Sequence, residues 1–173
     1  MASPYTWHQL AENYGPETFP DLLTAEIQTG RLDEKQLAIG LFITWTQTRW
    51  PSQRIAASTW IDMFDLAIGS RHYLYDDAMV IPKSELPPAL TVYRGANLEN
   101  ALGFAWTTCL DVASNFAHAL DDRSDYQSGN IYKLIVHPER VLARFFNRNE
   151  FEVVVNTTGL SVSDLEVYEN NLK

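Results

Sequence analysis

Pro82-Lys83-Ser84-Glu85-Leu86-Pro87-Pro88-Ala89-Leu90-Thr91-Val92-Tyr93-Arg94-Gly95 is where the chain changes character. Residues 82–88 are rich in turn formers, and Pro87-Pro88 is the strongest punctuation in the sequence. Residues on the amino-terminal side repeat at helical spacing. Residues on the carboxyl-terminal side alternate as strands do, beginning with Leu90-Thr91-Val92-Tyr93 and stopping at Gly95. Helices first and strands afterwards predict an α+β fold and argue against a doubly wound parallel sheet.

Working back from the break, residues 17–69 read as helical. Leu22, Leu23, Ile27 and Leu32 fall near one helical face, with Gly30 as a stop. Asp33 is suited to cap the next helix, which carries Leu37, Leu41 and Trp45 on one side. Pro51, with Ser52 beside it, fits the first turn of a third helix. That helix is expected to bury Ile55, Trp60, Ile61, Phe64 and Leu66-Ala67-Ile68 and to end at Gly69. Arg71-His72-Tyr73-Leu74-Tyr75 and Asp76-Asp77 follow as a polar and aromatic run.

Working forward, Phe104-Ala105-Trp106-Thr107 predicts a second strand, and residues 111–120 a helix with Val112, Phe116 and Leu120 on a shared face. Residues 121–125 read as a polar loop. Asn130-Ile131-Tyr132-Lys133-Leu134-Ile135-Val136 predicts a third strand. Glu152-Val153-Val154-Val155, β-branched throughout its apolar part, predicts a central fourth. Residues 161–168 alternate weakly and suit a last strand. No internal repeat or low-complexity segment is present. The expectation is one domain over residues 1–173 with two lobes: a helical lobe (residues 1–82) and a β-rich core with one helix (residues 89–173).

The composition fits a folded chain of this size. It has 173 residues, 46% hydrophobic and 20% charged. Thirteen Lys and Arg against 22 Asp and Glu give a formal net charge of -9. Binding a phosphate backbone requires basic surface, so this balance argues against a nucleic-acid partner. The lone Cys109 excludes a disulfide scaffold and a multi-cysteine zinc site. The longest apolar run, residues 37–45, falls well short of the roughly 20 residues that cross a bilayer, so no membrane association is expected. The start of the chain carries no basic segment followed by an apolar core, so a signal peptide is not expected and the reading is cytoplasmic.

Several common chemistries lack their motifs. The sequence has no Gly-rich phosphate loop, no H-E-x-x-H and no G-x-S-x-G. His8, His72, His118 and His137 have no metal-ligand spacing, and no metal is expected. Cys109 has no histidine or basic neighbour to activate it and reads as a small packed residue.

Three segments of the second half form an ordered set. Val92-Tyr93-Arg94-Gly95 ends a strand in an arginine. Gly103-Phe104-Ala105-Trp106-Thr107-Thr108-Cys109-Leu110 ends a strand in hydroxyls and leads to Ala113, Phe116 and Ala117. Asn149-Glu150-Phe151-Glu152-Val153-Val154-Val155 opens a strand with Glu-x-Glu. Each piece has a structural alternative. Arg94 suits a salt bridge, the threonines suit any strand, and the glutamates suit a solvated strand end.

Taken in order, the set resembles the ADP-ribosyltransferase family. It is closest to its Arg–Ser–Glu branch, which includes bacterial toxins and bacteriophage enzymes that modify arginine. The resemblance covers roughly residues 90–160. One departure stands out. Thr107-Thr108-Cys109 takes the place of a Ser-Thr-Ser strand end if aligned directly. A second register sets Ala105-Trp106-Thr107 there and loses the first hydroxyl.

The resemblance implies an ADP-ribosyltransferase-like core and NAD as a substrate, with no metal. NAD cleavage breaks a glycosidic C–N bond and builds positive charge on the ribose, which a carboxylate stabilises. By resemblance that carboxylate is Glu152, with Glu150 supporting an attacking arginine of a target protein. Arg94, with Gly95 beside it, would hold the diphosphate as a planar charged fork. Thr107 and Thr108 would orient Arg94, Glu152 or the ribose. Strand alternation would turn Glu150 and Glu152 to one side and Phe151 away. Tyr73, Tyr75 and Trp106 are aromatics suited either to stacking on NAD or to the core. The family's habits suggest a phage or bacterial effector acting in a bacterial cytoplasm. Two other functions remain open: hydrolysis of NAD by water, and a catalytically degenerate fold that binds and inhibits a partner.

Overall fold

A computed structural model describes residues 5–121 and 129–168. The fold is α+β, with helices first and antiparallel strands afterwards. The chain divides into two compact units, Met1–Pro82 and Lys83–Lys173.

In the first unit, four helices precede a hairpin. Helix α1 (Trp7–Ala11) is held by a capping box between Thr6 and Gln9. Helix α2 (Phe19–Thr29) stops at Gly30, whose φ of 64° is the left-handed conformation that glycine adopts freely. Helix α3 (Glu34–Gln47) starts where the Asp33 carboxylate accepts a hydrogen bond from the Gln36 backbone N–H at 2.8 Å. Its Gly40 lets the Trp7 ring lie against the helix backbone, where an added Cβ would stand 2.8 Å from the ring. Helix α4 (Ala57–Ile68) is joined to α3 by edge-to-face packing of Trp45 on Trp60, with ring centroids 5.0 Å apart.

Three expectations for this unit need correction. Pro51 does not begin the third long helix. It begins a single 3-10 turn, Pro51–Gln53, behind a left-handed Trp50, and α4 starts only at Ala57. Leu66 is 54% exposed, because it falls outside the helical stripe centred on Trp60, Phe64 and Ala67 that is buried. Leu32 is buried, yet it follows Gly30 and belongs to no helix. A hairpin of β1 (His72–Tyr75) and β2 (Met79–Pro82) also occupies the segment that reads in sequence only as a polar and aromatic run.

Among its described residues, the second unit is a six-stranded antiparallel arrangement with one long helix. The strands are β3 (Leu90–Ala96), β4 (Ala105–Thr107), β5 (Asn130–Val136), β6 (Val141–Phe145), β7 (Glu152–Val155) and β8 (Glu166–Tyr168). Their spatial order is β6-β7-β4-β3-β5-β8. Strand β7 is internal, flanked by β6 and β4, and Val153, Val154 and Val155 are all buried. The longest ladder joins β3 to β5, from Leu90 opposite Val136 to Ala96 opposite Asn130. Strand β6 is an addition to the strands expected from sequence. A register shift between Val141 and Ala143 breaks its alternation, and all three of Val141, Leu142 and Ala143 are buried.

Helix α5 (Leu110–Asp121) packs on the sheet through Ala113 and Ala117, which meet Ile131, Tyr93 and Tyr168. The expected face of Val112 and Phe116 is therefore not the buried one. Phe116 is 44% exposed, because small side chains are what the close approach to β3 admits. The Leu120 side chain and the polar residues 122–125 lie outside the described part of the structure.

Candidate functional site

Strand order brings the three sequence segments together. Arg94 lies on β3, Thr107 ends β4, and Glu152 opens β7, and these three strands are neighbours in the order β7-β4-β3. Thr107 pairs with Tyr93 of β3 on one side and with Glu152 of β7 on the other. Thr107 and Glu152 thus project from one face of their strands.

Arg94 is half-buried and turns into the connection between β3 and β4. Its Nε donates to the Asn100 carbonyl at 2.9 Å, and Nη1 donates to the Ala105 carbonyl. Burial pushes the guanidinium down to about 10, while the charge of Glu152 acts in the opposite direction. Arg94 is therefore still protonated at neutral pH. Two of its five N–H groups are used on the connection, so three stay without a protein acceptor among the described residues.

Gly95 faces the helix. A Cβ there would lie 2.1 Å from the Ala113 carbonyl oxygen and 2.5 Å from the Ala117 nitrogen. Its missing side chain is what seats α5 on β3. This packing role accounts for Gly95 without any contact to a ligand.

The two threonines divide their work. The buried Thr107 hydroxyl donates to the Glu150 carbonyl at 2.6 Å and accepts from the Cys109 backbone N–H at 3.0 Å. One side chain thus ties the turn before Glu152 to the start of α5. The Thr108 backbone N–H donates to the Phe151 carbonyl at 3.1 Å. The half-buried Thr108 hydroxyl has no hydrogen bond among the described residues.

Glu150 differs from the sequence expectation. Strand β7 begins at Glu152, and the turn before it holds Asn149 and Phe151 at φ 55° and 47°. Alternation along a strand therefore does not relate Glu150 to Glu152. Phe151 is 40% exposed and meets the Phe146 ring edge-to-face at 5.9 Å. Glu150 and Glu152 are both half-buried. Of the aromatics, Trp106 is a core residue, Tyr73 is buried in its own unit and Tyr75 is half-buried there.

Three further residues shape this region, and sequence reasoning gives none of them this role. The Gly103 backbone lies against the Arg94 guanidinium, so that an added Cβ would stand 2.4 Å from Nη2. The Trp106 indole N–H donates to the Gly103 carbonyl at 2.7 Å. The buried Thr157 hydroxyl donates to the Leu102 carbonyl at 2.5 Å. Gly103 is visible inside a quoted motif. Nothing local marks Thr157, whose partner is 55 residues away.

Among the described residues, no group of three or more His, Cys, Asp or Glu is arranged to hold a metal ion. None of their helices is long and apolar enough to cross a membrane. Comparison of the chain with family models, curated proteins and solved structures gave no match.

Proposed function

We propose that the second unit is an ADP-ribosyltransferase core that moves ADP-ribose from NAD to an arginine of a target protein. One observation carries this reading. Arg94, Thr107 and Glu152 come from separate segments of the sequence but sit on three adjacent strands, with Thr108 directly after the middle one. The sequence resemblance rests on their order, flanking residues and approximate spacing.

The chemistry follows from the groups present. Arg94 retains N–H donors and a full charge for a diphosphate. Glu152 supplies negative charge where the ribose becomes positive. The ribosyl C–N bond breaks and its electron pair leaves with nicotinamide. The acceptor nitrogen then forms a new C–N bond to the same carbon and gives up a proton. The Thr108 hydroxyl is available to orient the ribose or the carboxylate, whereas that of Thr107 serves the protein itself.

A second reading, NAD hydrolysis, is favoured by the placement of Glu150. It lies in the turn and shares no strand face with Glu152, so support for an arginine acceptor rests on the turn alone. Incubation with labelled NAD and bacterial lysate separates these readings. Label on protein that disappears in Glu152→Ala supports transfer. Release of nicotinamide without labelled protein supports hydrolysis. Neither event, with a partner protein still inhibited, supports a binding protein that has lost its chemistry.

A further inference from the structure

The connection between β3 and β4, residues 97–104, is clamped along most of its length. The Asn100 and Ala105 carbonyls accept from Arg94, the Leu102 carbonyl from Thr157 and the Gly103 carbonyl from Trp106. The Phe104 carbonyl accepts from the Val155 backbone N–H at 2.8 Å. Three side chains therefore fix a segment that has no long secondary structure of its own. The 3-10 turn Leu98–Asn100 is capped by Asn97, whose side chain accepts from the Asn100 N–H at 3.1 Å.

The clamp closes on one object, the Arg94 guanidinium. Its Nη2 lies over Gly103, in the space that any side chain at that position would fill. Its Nε is committed to Asn100 in the middle of the segment and its Nη1 to Ala105, the first residue after it. Both N–H groups of Nη2 and one of Nη1 are left for an external acceptor. A guanidinium immobilised in this way loses little further freedom when it takes a phosphate.

We propose that Gly103, held by Trp106 and Thr157, is the seat that positions Arg94 for the diphosphate of NAD, so that the size of residue 103 sets NAD affinity. The proposal rests on the functional reading above. Gly103, Trp106 and Thr157 are positioning residues, since each acts through Arg94 and not on the nucleotide.

The full chain is tested with NAD, titrated by calorimetry, and with the Arg94 Nε–H resonance, assigned by its loss in Arg94→Lys. In the wild type that resonance is protected from solvent exchange. In Gly103→Ala the protection disappears and NAD affinity falls at least about tenfold, the size of one lost charge-assisted hydrogen bond. Thr157→Val lowers affinity as well, and Thr157→Ser restores it. Unchanged NAD affinity in Gly103→Ala overturns the seat and leaves the functional reading standing. If Gly103→Ala does not fold, the Thr157 pair decides, and equal affinity of the Val and Ser variants overturns the seat. A wild type with a protected Arg94 that does not bind NAD overturns the functional reading and, with it, the ligand named here.

Discussion

Thr107 and Glu152 stand directly opposite each other on β4 and β7, and the Thr107 hydroxyl binds the carbonyl of Glu150 two residues before its partner. The carboxylate is thus set by a cross-strand pair and by a hydrogen bond to the turn that delivers it. Replacing Thr107 by Val keeps the shape and removes the hydroxyl. The Glu150 carbonyl and the Cys109 N–H each lose their partner, at a cost of about 1–3 kcal/mol for a buried unsatisfied group. Thr107→Ser keeps both bonds. Denaturant unfolding of the two variants checks this, and equal stability of Val and Ser would contradict it.

Glu152→Gln is expected to lower nicotinamide release by about 10²–10³-fold, the usual scale for removing one preorganised electrostatic group. NAD affinity should change only a few-fold, since the role of Glu152 is to stabilise charge that develops during bond breaking. Single-turnover release set beside calorimetric binding separates the two effects. A large loss of binding with an unchanged rate would assign Glu152 to ground-state recognition instead.

Burial lowers the Arg94 guanidinium to about 10 in the folded protein, below the ordinary arginine value. Below pH 10 both the folded and the unfolded chain hold the proton, so the cost of burying the charge is fully present. From about pH 10 up to the ordinary arginine value the unfolded chain binds more protons than the folded one. The contribution of this group to stability therefore rises with pH across that window. Ligand binding moves the other way, because a neutral Arg94 no longer attracts a diphosphate. ADP-ribose affinity should decline past about pH 10 in the wild type. In Arg94→Gln it should be weak and should lack this component of the pH response. Calorimetry in matched buffers from pH 8 to 11 tests both.

Gly95→Ala should cost about 1–3 kcal/mol or more, because the new Cβ meets backbone atoms of α5 that cannot rotate away. Thermal unfolding is the readout. Gly15→Ala is a matched control, since a Cβ there meets nothing within 4 Å. A stable Gly95→Ala with weakened NAD binding would return Gly95 to the ligand site.

Elements with a local chemical signal are legible in the amino-acid sequence. Gly30 stops a helix by its left-handed backbone and Asp33 starts one by its side chain, and both act within four residues of themselves. Residues 130–136 are rich in β-branched and aromatic residues and form β5. Strand β6 carries no such signal, because its bulge turns consecutive residues inward. Gly95 stands out as part of a motif, but its reason lies in Ala113 and Ala117. The destination of the Arg94 guanidinium is not readable from sequence, since its acceptors are backbone carbonyls of a connection whose path depends on Thr157, far along the chain. The pairing of Glu150 with Glu152 fails for a related reason. Alternation is a property of extended backbone, and Phe151 is not extended.

The left-handed Phe151 has a thermodynamic consequence of its own. Asparagine tolerates that conformation, as Asn149 does, but an aromatic residue holds it at a cost on the order of 1–3 kcal/mol. Its ring recovers part of this against Phe146, which also lies beneath the Arg144 guanidinium at 4.9 Å. A glycine at 151 would relieve the conformational cost and also multiply the shapes open to the turn. The chain thus gives up stability next to Glu152 in exchange for a carboxylate delivered from a single backbone conformation.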